Sequence, residues 1–368
     1  MTTEGTVSMN ALGSPDAIVY FEKAYYQYKK NYIYEKFNPT QFVDVSNLFM
    51  GVFYKKDRLA LLGALPVDKS KKSILAIPLS GLCDVLVQYL LKAGVNKDDI
   101  ILTVNMPSWG DFESYRIIRE SGKFDISGSG KIFYEIDNKK ILCSSYDEIS
   151  IIQDVFYNKC YDFSTPHNSV TVIDVGANTG IASLFYSTKE NVQRIYAFEP
   201  FVATYEAALE NIALNEVKKN KITLYPYGLS NENKELIVLY NDQVKGCMST
   251  AYEVADSYFT EKIAVQVRDV AEVFAQIFSR HDKDRFVIKM DCEGAEYEIF
   301  DRLDETGLIK KIHILIMEWH NKQDNNVSHI ESILMKNSFD YHVIGNRNAL
   351  AGMIFATNAE ETLMLGDQ

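Results

Sequence analysis

The sequence has few cysteines, no long apolar run and no excess of basic residues. Its five cysteines, in 368 residues, are scattered and never form a C-x-x-C pair, which excludes a readable disulfide framework or zinc knuckle. No segment approaches the roughly 20 consecutive apolar residues of a membrane helix, and residues 1–17 have no basic region followed by an apolar core. These absences predict a protein without a membrane span in a reducing, cytoplasmic compartment.

The charge balance limits the partners. The chain has 38 basic and 50 acidic residues, a net charge of −12, which repels the phosphates of nucleic acids. We therefore predict that the partner is a small molecule or a saccharide and that the protein does not bind nucleic acid. The length exceeds that of one average domain, which predicts a core domain with a sizeable extension. The oligomeric state stays open, with a homodimer among the alternatives.

A run of small residues marks the predicted domain boundary. SGSGK, residues 127–131, separates an N-terminal α/β extension, residues 1–128, from a second domain, residues 129–368. Within the extension, residues 71–105 predict one βαβ unit. After the boundary, residues 131–144 predict a hairpin that turns at Asp137 and Asn138, and residues 146–161 predict an amphipathic helix.

The segment TVIDVGANTGIASLFY, residues 171–186, predicts a strand, a glycine turn and a helix. Ligands of such a βα unit meet backbone N–H groups at the start of the helix. A dinucleotide fingerprint requires glycines where Asn178 and Ile181 stand, so the turn suits a ligand without phosphates. S-adenosylmethionine is such a ligand, and Asp174 is predicted to meet its ammonium group.

A second acid follows at the predicted distance. RIYAFEP, residues 194–200, predicts the next strand, which ends at Glu199. An acid about 20 residues beyond a glycine turn binds the ribose hydroxyls in folds of this kind. We therefore predict a ribose contact for Glu199. The alternative is that the glycines only form a tight turn and that Glu199 caps the following helix.

Several elements fill the chain between this acid and the next candidate site. Residues 221–231 are predicted to form one strand, residues 262–270 an edge strand, and residues 271–279 a helix. Two buried strands follow, RFVIKM at residues 285–290 and KIHILIMEWH at residues 311–320. The carboxyl ends of such strands are where open α/β sheets bind substrates.

Ionisable side chains collect at these two strand ends. Because side chains alternate between the faces of a strand, Lys289, Asp291 and Glu293 share one side, as do Glu318 and His320. The acceptor of a methyl group usually loses a proton, and histidine titrates near neutrality. We predict His320 as the base and Asp291 as the second choice. Lys289 is predicted to orient or stabilise charge, and Glu318 completes the catalytic set.

Other interpretations of these side chains stay open. His320 could be a strand-end histidine that is satisfied by the backbone. Glu293 and Glu296 are also typical acids of a first helical turn, where they favour the helix dipole. A divalent metal site formed by Asp291, Glu318 and His320 is a further alternative. No compact ligand motif supports it, so no metal ligand is assigned.

Six segments together resemble a known family. They are VIDVGANTG, IYAFEP, LENIALN, YPYGLSN, IKMDCEGAEYEIF and ILIMEWH, and in this order they resemble FkbM-type S-adenosylmethionine-dependent methyltransferases. The D-x-E-G-x-E segment at residues 291–296 is the distinctive part. The resemblance extends from about Lys131 to Asn358 and includes the closing segments FDYHVIG and GMIFATN.

The resemblance implies a fold, a cofactor and an activity. The implied fold is a Rossmann-like, doubly wound class I methyltransferase sheet with seven strands, mostly parallel, and a terminal antiparallel strand. The implied cofactor is S-adenosyl-L-methionine, with the ribose at Glu199 and the methionine end at Asp174, Gly176, Asn178 and Gly180. The remaining predicted cofactor-binding residues are Ala177, Pro200 and Gly228.

The predicted function is that of a methyltransferase. The resemblance implies O-methylation of a hydroxyl on a sugar, a polysaccharide or a small natural product, with the N-terminal extension shaping the acceptor pocket or serving assembly. One alternative is a nicotinamide-dependent oxidoreductase, which the missing fingerprint glycines disfavour. Another is a catalytically lapsed methyltransferase fold that only binds, which the acids at the strand ends disfavour.

Overall fold

The computed structural model describes residues 15–48, 62, 65–79, 81–106, 113–143, 146–215, 217, 221–240, 250, 261–321 and 325–358. The chain folds into two compact units that divide between Tyr157 and Asn158. Cys83, Cys143, Cys160 and Cys292 form no disulfide in the described part of the chain, and Cys247 and the first 14 residues lie outside that part. In that part, no helix has the length and the apolar character that crossing a membrane requires.

The first unit contains a parallel sheet and a small antiparallel sheet. Its strands are β1 (Asp16–Phe21), β2 (Asn38–Asp44), β3 (Lys72–Ala76), β4 (Ile100–Leu102), β5 (Lys123–Ile126), β6 (Ile132–Ile136) and β7 (Lys139–Leu142). Its helices are α1 (Lys23–Lys36), α2 (Gly81–Lys92), α3 (Glu113–Ser121) and α4 (Tyr146–Ile152). The parallel sheet has the order β2-β1-β3-β4, and the predicted βαβ unit is β3, α2 and β4.

The division between the units falls later in the chain than the predicted boundary at residue 128. The SGSGK segment is a turn rather than a linker, because β5 before it pairs with β6 after it in one antiparallel sheet. The predicted hairpin is β6 and β7, and Asp137 and Asn138 have φ values of 49° and 60°, as a tight hairpin turn requires. The hairpin therefore belongs to the first unit.

The second unit is built on a seven-stranded sheet. Its strands are β8 (Val170–Val175), β9 (Val192–Phe198), β10 (Ile222–Tyr225), β11 (Gly228–Ser230), β12 (Lys234–Tyr240), β13 (Glu261–Asp269), β14 (Arg285–Met290), β15 (Ile314–His320), β16 (Phe339–Ile344) and β17 (Ala351–Asn358). Its helices are α5 (Ile181–Ser187), α6 (Val202–Ala213), α7 (Val270–Arg280), α8 (Glu296–Glu305) and α9 (Val327–Lys336).

The order of the main sheet confirms the predicted doubly wound class. It runs β10-β9-β8-β14-β15-β17-β16, with parallel pairing from β10 to β15 and with β17 antiparallel to both of its neighbours. The chain moves outward from β8 to β10 and then returns to place β14 on the other side of β8. Such a switch point opens a crevice at the carboxyl ends of the strands.

The core of this unit lies between the sheet and its helices. Ile173, Ile288 and Leu315 of the central strands are fully buried and share one apolar cluster with Phe274 of α7 and Phe300 of α8. Burial of each such side chain stabilises the fold by roughly 1.5–3 kcal/mol. The two strands that end at the candidate site are thereby fixed from within.

Three predicted elements differ from the structure. The helix predicted at residues 146–161 is shorter, because α4 ends at Ile152 and a π-helical segment follows at residues 153–157. The predicted single strand at residues 221–231 is divided into β10 and β11 around Pro226, because proline cannot donate to a sheet ladder. The predicted edge strand at residues 262–270 is β13, which lies between β11 and β12 in a separate three-stranded sheet. The helix after it begins at Val270, one residue before the predicted start, because the Asp269 carboxylate caps it by accepting the N–H of Ala271 at 2.8 Å.

Candidate active site

The glycine turn after β8 has a backbone that only glycine fits. Gly176 has a φ of 77°, and a Cβ built there would lie 1.7 Å from the carbonyl oxygen of Asp291. The N–H groups of Gly176 and Ala177 both donate to the carbonyl oxygen of Phe198, at 3.1 and 2.9 Å. Gly180, with a φ of 79°, precedes the first residue of α5. The turn is thus held tightly against the ends of β9 and β14.

Glu199 stands directly after β9 and faces this turn. Its Oε2 accepts the N–H of Asn178 at 2.9 Å and its Oε1 accepts the N–H of Phe201 at 3.0 Å. The residue is 4% exposed, and burial raises the pKa of its carboxyl to about 7. Each oxygen keeps a lone pair, so the carboxylate can also accept hydroxyl groups of a ligand.

A cavity opens beside the turn at the carboxyl ends of β8, β9 and β14. The residues that line it include Gly176, Asn178, Glu199, Pro200, Gly228 and Asp291. A glycine turn, a buried acid and a neighbouring cavity match what the ribose and the methionine end of S-adenosylmethionine require. Five of the eight predicted cofactor-binding residues therefore lie at one cavity.

Asp174, Ala177 and Gly180 are the predicted cofactor residues outside this lining. Asp174 is fully buried, and its Oδ2 accepts the hydroxyl of Ser183 at 2.6 Å. Its Oδ1 lies 3.3 Å from Nζ of Lys289. The predicted contact between Asp174 and the ammonium of the cofactor stays a prediction.

Lys289 connects the turn to the second candidate group. Its Nζ donates to the carbonyl oxygen of Gly176 at 2.6 Å and lies 3.8 Å from Oδ2 of Asp291. Burial lowers the pKa of this ammonium, but Asp174 and Asp291 outweigh burial and raise it overall. Lys289 is therefore a buried cation that holds two carboxylates and the turn in place.

Six ionisable side chains lie together at the carboxyl ends of β14 and β15. We call them the carboxylate cluster: Asp291, Glu293, Glu296, Glu318, His320 and Tyr161. Nδ1 of His320 lies 3.0 Å from Oε1 of Glu296. Its Nε2 lies 3.7 Å from Oε2 of Glu293 and 3.8 Å from Oε1 of Glu318. The predicted convergence of Asp291, Glu318 and His320 is thus observed.

Tyr161 and Glu296 are members of the cluster that the sequence did not single out as site residues. The hydroxyl of Tyr161 donates to Oδ2 of Asp291 at 2.9 Å and lies 3.3 Å from Oε2 of Glu318. Tyr161 precedes β8 without any motif of its own, so no sequence signal could have found it. Glu296 has the position of an ordinary first-turn acid, but it is fully buried against His320.

The crowding of like charges shifts the acid–base properties of the cluster. Burial, with further contributions from neighbouring acids, raises the pKa of Glu293 to about 8 and that of Glu318 to about 7. Burial alone would lower the pKa of His320, but Glu296 and Glu293 raise it to about 9. The protein part of the site is therefore electrostatically negative and holds protons more tightly than isolated side chains do.

The fold and the site define a class. A doubly wound sheet with a glycine turn and a buried acid at its switch point is a Rossmann-like α/β domain that binds a nucleoside cofactor. Residues 174–343 match the family model described as the methyltransferase FkbM domain. This stretch, just under half of the chain, is therefore similar to FkbM methyltransferase domains, a family whose methyl donor is S-adenosylmethionine.

Individual relatives bear related names. The chain is 24% identical over 213 residues to "Methyltransferase sdnD" of Sordaria araneosa, a match that covers 52% of this chain and 81% of the relative. It is 24% identical over 170 residues to "Methyltransferase 1" of Beauveria bassiana, with 42% and 67% covered. Among solved structures, it is similar to M. capricolum TrmK in complex with S-adenosylhomocysteine, with 11% identity, a TM-score of 0.31, and 55% of this chain and 66% of that chain covered.

Proposed function

We propose that this protein transfers a methyl group from S-adenosylmethionine to a hydroxyl of a sugar, a polysaccharide or a small natural product. The observation that carries the proposal is that Asp291 and Glu293 belong to both halves of the site. They line the cofactor cavity and also face His320 in the carboxylate cluster. A methyl donor in the cavity and a proton acceptor in the cluster would therefore be neighbours.

The cofactor is assigned to the cavity beside the glycine turn. Bound there, it supplies an electrophilic methyl group on a sulfonium. Glu199 would accept its ribose hydroxyls, and the backbone around Gly176 and Asn178 would surround its methionine end. Asp174 is fully buried and ion-paired, so we assign it to act through Lys289. Ala177, Gly180, Pro200 and Gly228 shape the walls and the turn.

The acceptor hydroxyl is assigned to the carboxylate cluster. With the cofactor bound, its sulfonium would supply the methyl group to the acceptor oxygen, and the proton of that hydroxyl would move to a carboxylate of the cluster. Glu318 has the most exposed side chain of the predicted catalytic set, at 34%, compared with 6% for His320. We therefore assign proton acceptance to Glu318. His320, the first choice from the sequence, has both nitrogens facing carboxylates and is assigned to position them.

The charge of the chain supports a neutral or cationic acceptor. A net charge of −12 adds to the negative cluster at the strand ends, and both repel polyphosphate backbones. Hydroxyl groups of sugars or natural products carry no such penalty. A tRNA or rRNA acceptor is thereby disfavoured, although structurally similar methyltransferase folds can act on RNA.

The test is a methyl-transfer assay with a ¹³C-methyl donor and a panel of glycosides, polyols and hydroxylated natural products. We expect formation of S-adenosylhomocysteine together with a methoxy signal in the NMR spectrum of one acceptor class. An N-methyl or S-methyl signal would contradict the oxygen assignment. Hydride exchange with a nicotinamide cofactor, without any methyl transfer, would instead support the oxidoreductase alternative.

A further inference from the structure

Three side chains of the carboxylate cluster offer ligand atoms to a single point. One oxygen of Asp291, one oxygen of Glu293 and one nitrogen of His320 all lie within 4.8 Å of one another. Three ligands that surround one metal ion at about 2.0–2.2 Å lie about 3.3–3.8 Å from one another. An approach of up to about 1 Å would therefore bring these three atoms around one ion.

The imidazole of His320 is oriented as metal-binding histidines are. Its Nδ1 is 3.0 Å from Oε1 of Glu296, and the same oxygen accepts the N–H of Cys292 at 3.1 Å. A carboxylate accepts, so Nδ1 donates to Glu296, and Nε2 is the nitrogen that would give up its proton to bind a metal ion. Histidines that bind metals commonly donate their other ring N–H to a carboxylate in this way.

One buried polar atom of this arrangement is unsatisfied: Oε2 of the fully buried Glu296 has no hydrogen-bond partner among the described residues. His320 is 5% exposed, and the carboxylates of Glu293 and Glu318 approach its Nε2 only to 3.7 and 3.8 Å, beyond hydrogen-bond distance. Unpartnered buried polar atoms are uncommon and indicate a missing ion or water.

The charges around this arrangement also favour a bound cation, because carboxylates outnumber basic groups there. Asp291, Glu293, Glu296 and Glu318 surround one imidazole, and Lys289 approaches Asp291 while it is also paired with Asp174. Carboxylates in such excess are usually matched by a cation. Oxygen ligands with one imidazole suit Mn²⁺ and related divalent ions.

We propose that Asp291, Glu293 and His320 bind a divalent metal cation at the carboxyl ends of β14 and β15, with Glu296 as the residue that orients His320. Glu318 stays outside the ligand set and is free to accept a proton. Binding of the cation does not depend on the proposed methyl transfer. Its use in that reaction does, because a cation beside Asp291 would bind the acceptor oxygen and favour its deprotonation.

The test is titration of the chelator-treated full chain with Mn²⁺, followed by electron paramagnetic resonance and calorimetry, in the absence of any acceptor. We expect one bound ion per chain. Glu293→Gln and His320→Ala should abolish tight binding, and Glu296→Gln should weaken it about 10- to 100-fold. Glu305→Gln, an exposed acid on the same helix α8, should leave it unchanged.

Two results would overturn the proposal. One is the absence of stoichiometric Mn²⁺ binding to the wild-type chain, which would leave a proton on His320 as the positive charge of the cluster. The other is binding that Glu293→Gln and His320→Ala leave unaltered while their melting temperatures match the wild type. Titration of S-adenosylhomocysteine on the same samples separates this proposal from the proposed function, since either ligand can bind without the other.

Discussion

The pKa values of carboxylates are shifted in opposite directions at the two ends of the central strand β14. At the amino end, Asp284 accepts the hydroxyls of Ser169 and Thr171, each at 2.6 Å, and pairs with Arg194 at 3.0 Å. Burial raises the pKa of Asp284, but these hydrogen bonds and the guanidinium lower it below its ordinary value. At the carboxyl end, burial raises the pKa of Glu293 to about 8 and that of Glu318 to about 7, and neighbouring acids add to both shifts.

This difference separates a stabilising site from a reactive one. A carboxylate whose oxygens are satisfied contributes to the folding free energy, whereas carboxylates that crowd one another cost stability and retain protons. Natural proteins place such unfavourable groups where chemistry takes place. The comparison therefore predicts that substitutions at the two ends will affect different measurements.

The largest effect is expected for Glu318→Gln at the carboxyl end. Loss of the proposed proton acceptor should lower kcat by about 10²- to 10⁴-fold with the acceptor that the panel identifies. The affinity for S-adenosylhomocysteine should change little, because Glu318 does not line the described cofactor cavity. Glu305→Gln is the matched control, and a Glu318→Gln variant with wild-type kcat would refute the assignment.

The second-largest effect is expected for Gly176→Ala, in the glycine turn between the two halves of the site. Gly176→Ala places a Cβ 1.7 Å from the carbonyl oxygen of Asp291, so the turn or the end of β14 must move. We expect at least a ~100-fold loss of affinity for S-adenosylhomocysteine in calorimetry, about 2.7 kcal/mol.

Gly307→Ala is the control for this substitution. Gly307 also has a positive φ, of 71°, but apart from its two chain neighbours no described residue has an atom within 4 Å of its Cβ position. It should cost about 1 kcal/mol of folding free energy and leave ligand binding intact. Equal ligand affinity in the two variants would show that the close approach at Gly176 is not needed for binding.

At the amino end, Asp284→Asn should reduce stability and leave the site unaffected. The amide loses the ion pair with Arg194 and can accept only one of the two hydroxyls, which should cost about 2 kcal/mol of unfolding free energy. Denaturant titration measures the loss, and Asp282→Asn, at an exposed neighbouring position, should stay within about 0.5 kcal/mol. A change in S-adenosylhomocysteine affinity for Asp284→Asn would show that the two ends are coupled.

The smallest expected effect is the pH dependence of the difference in unfolding free energy between the wild type and Asp284→Asn. The folded pKa of Asp284 lies below its unfolded value, which is about 3.9 for aspartate. Its contribution is therefore complete above the unfolded pKa and is lost as the pH falls through the folded pKa. The gap in unfolding free energy between the wild type and Asp284→Asn should narrow in acid. A gap that is constant from neutral pH to acid would contradict this account.

The sequence was sufficient for the order of the fold and for bringing most of the predicted cofactor residues to one cavity. The end of the strand, the turn, the helix and the acid follow one another along the chain from Asp174 to Glu199. Local patterns therefore place Gly176, Asn178 and Glu199 at one point. The carboxylate cluster depends on pairing between β14 and β15, and strand parity was enough to bring Asp291, Glu318 and His320 together.

Other features depend on contacts that no local pattern records. Tyr161 reaches Asp291 across 130 residues of chain, and Glu296 differs from an ordinary helix acid only because His320 folds against it. The domain boundary was placed at small residues that form a turn between paired strands. Each of these three features depends on contacts between residues that are far apart in the sequence, which local sequence patterns do not record.

Calorimetric titration of S-adenosylhomocysteine into the purified chain tests the central claim most directly, with NAD as the competing ligand and Glu199→Gln and Glu206→Ala as paired variants. Glu206 is an exposed acid on α6 and serves as the control. The account predicts binding of S-adenosylhomocysteine, no binding of NAD, and a loss of affinity of about 10- to 100-fold for Glu199→Gln alone. Binding of NAD in place of S-adenosylhomocysteine, or equal affinity in all three chains, would contradict it.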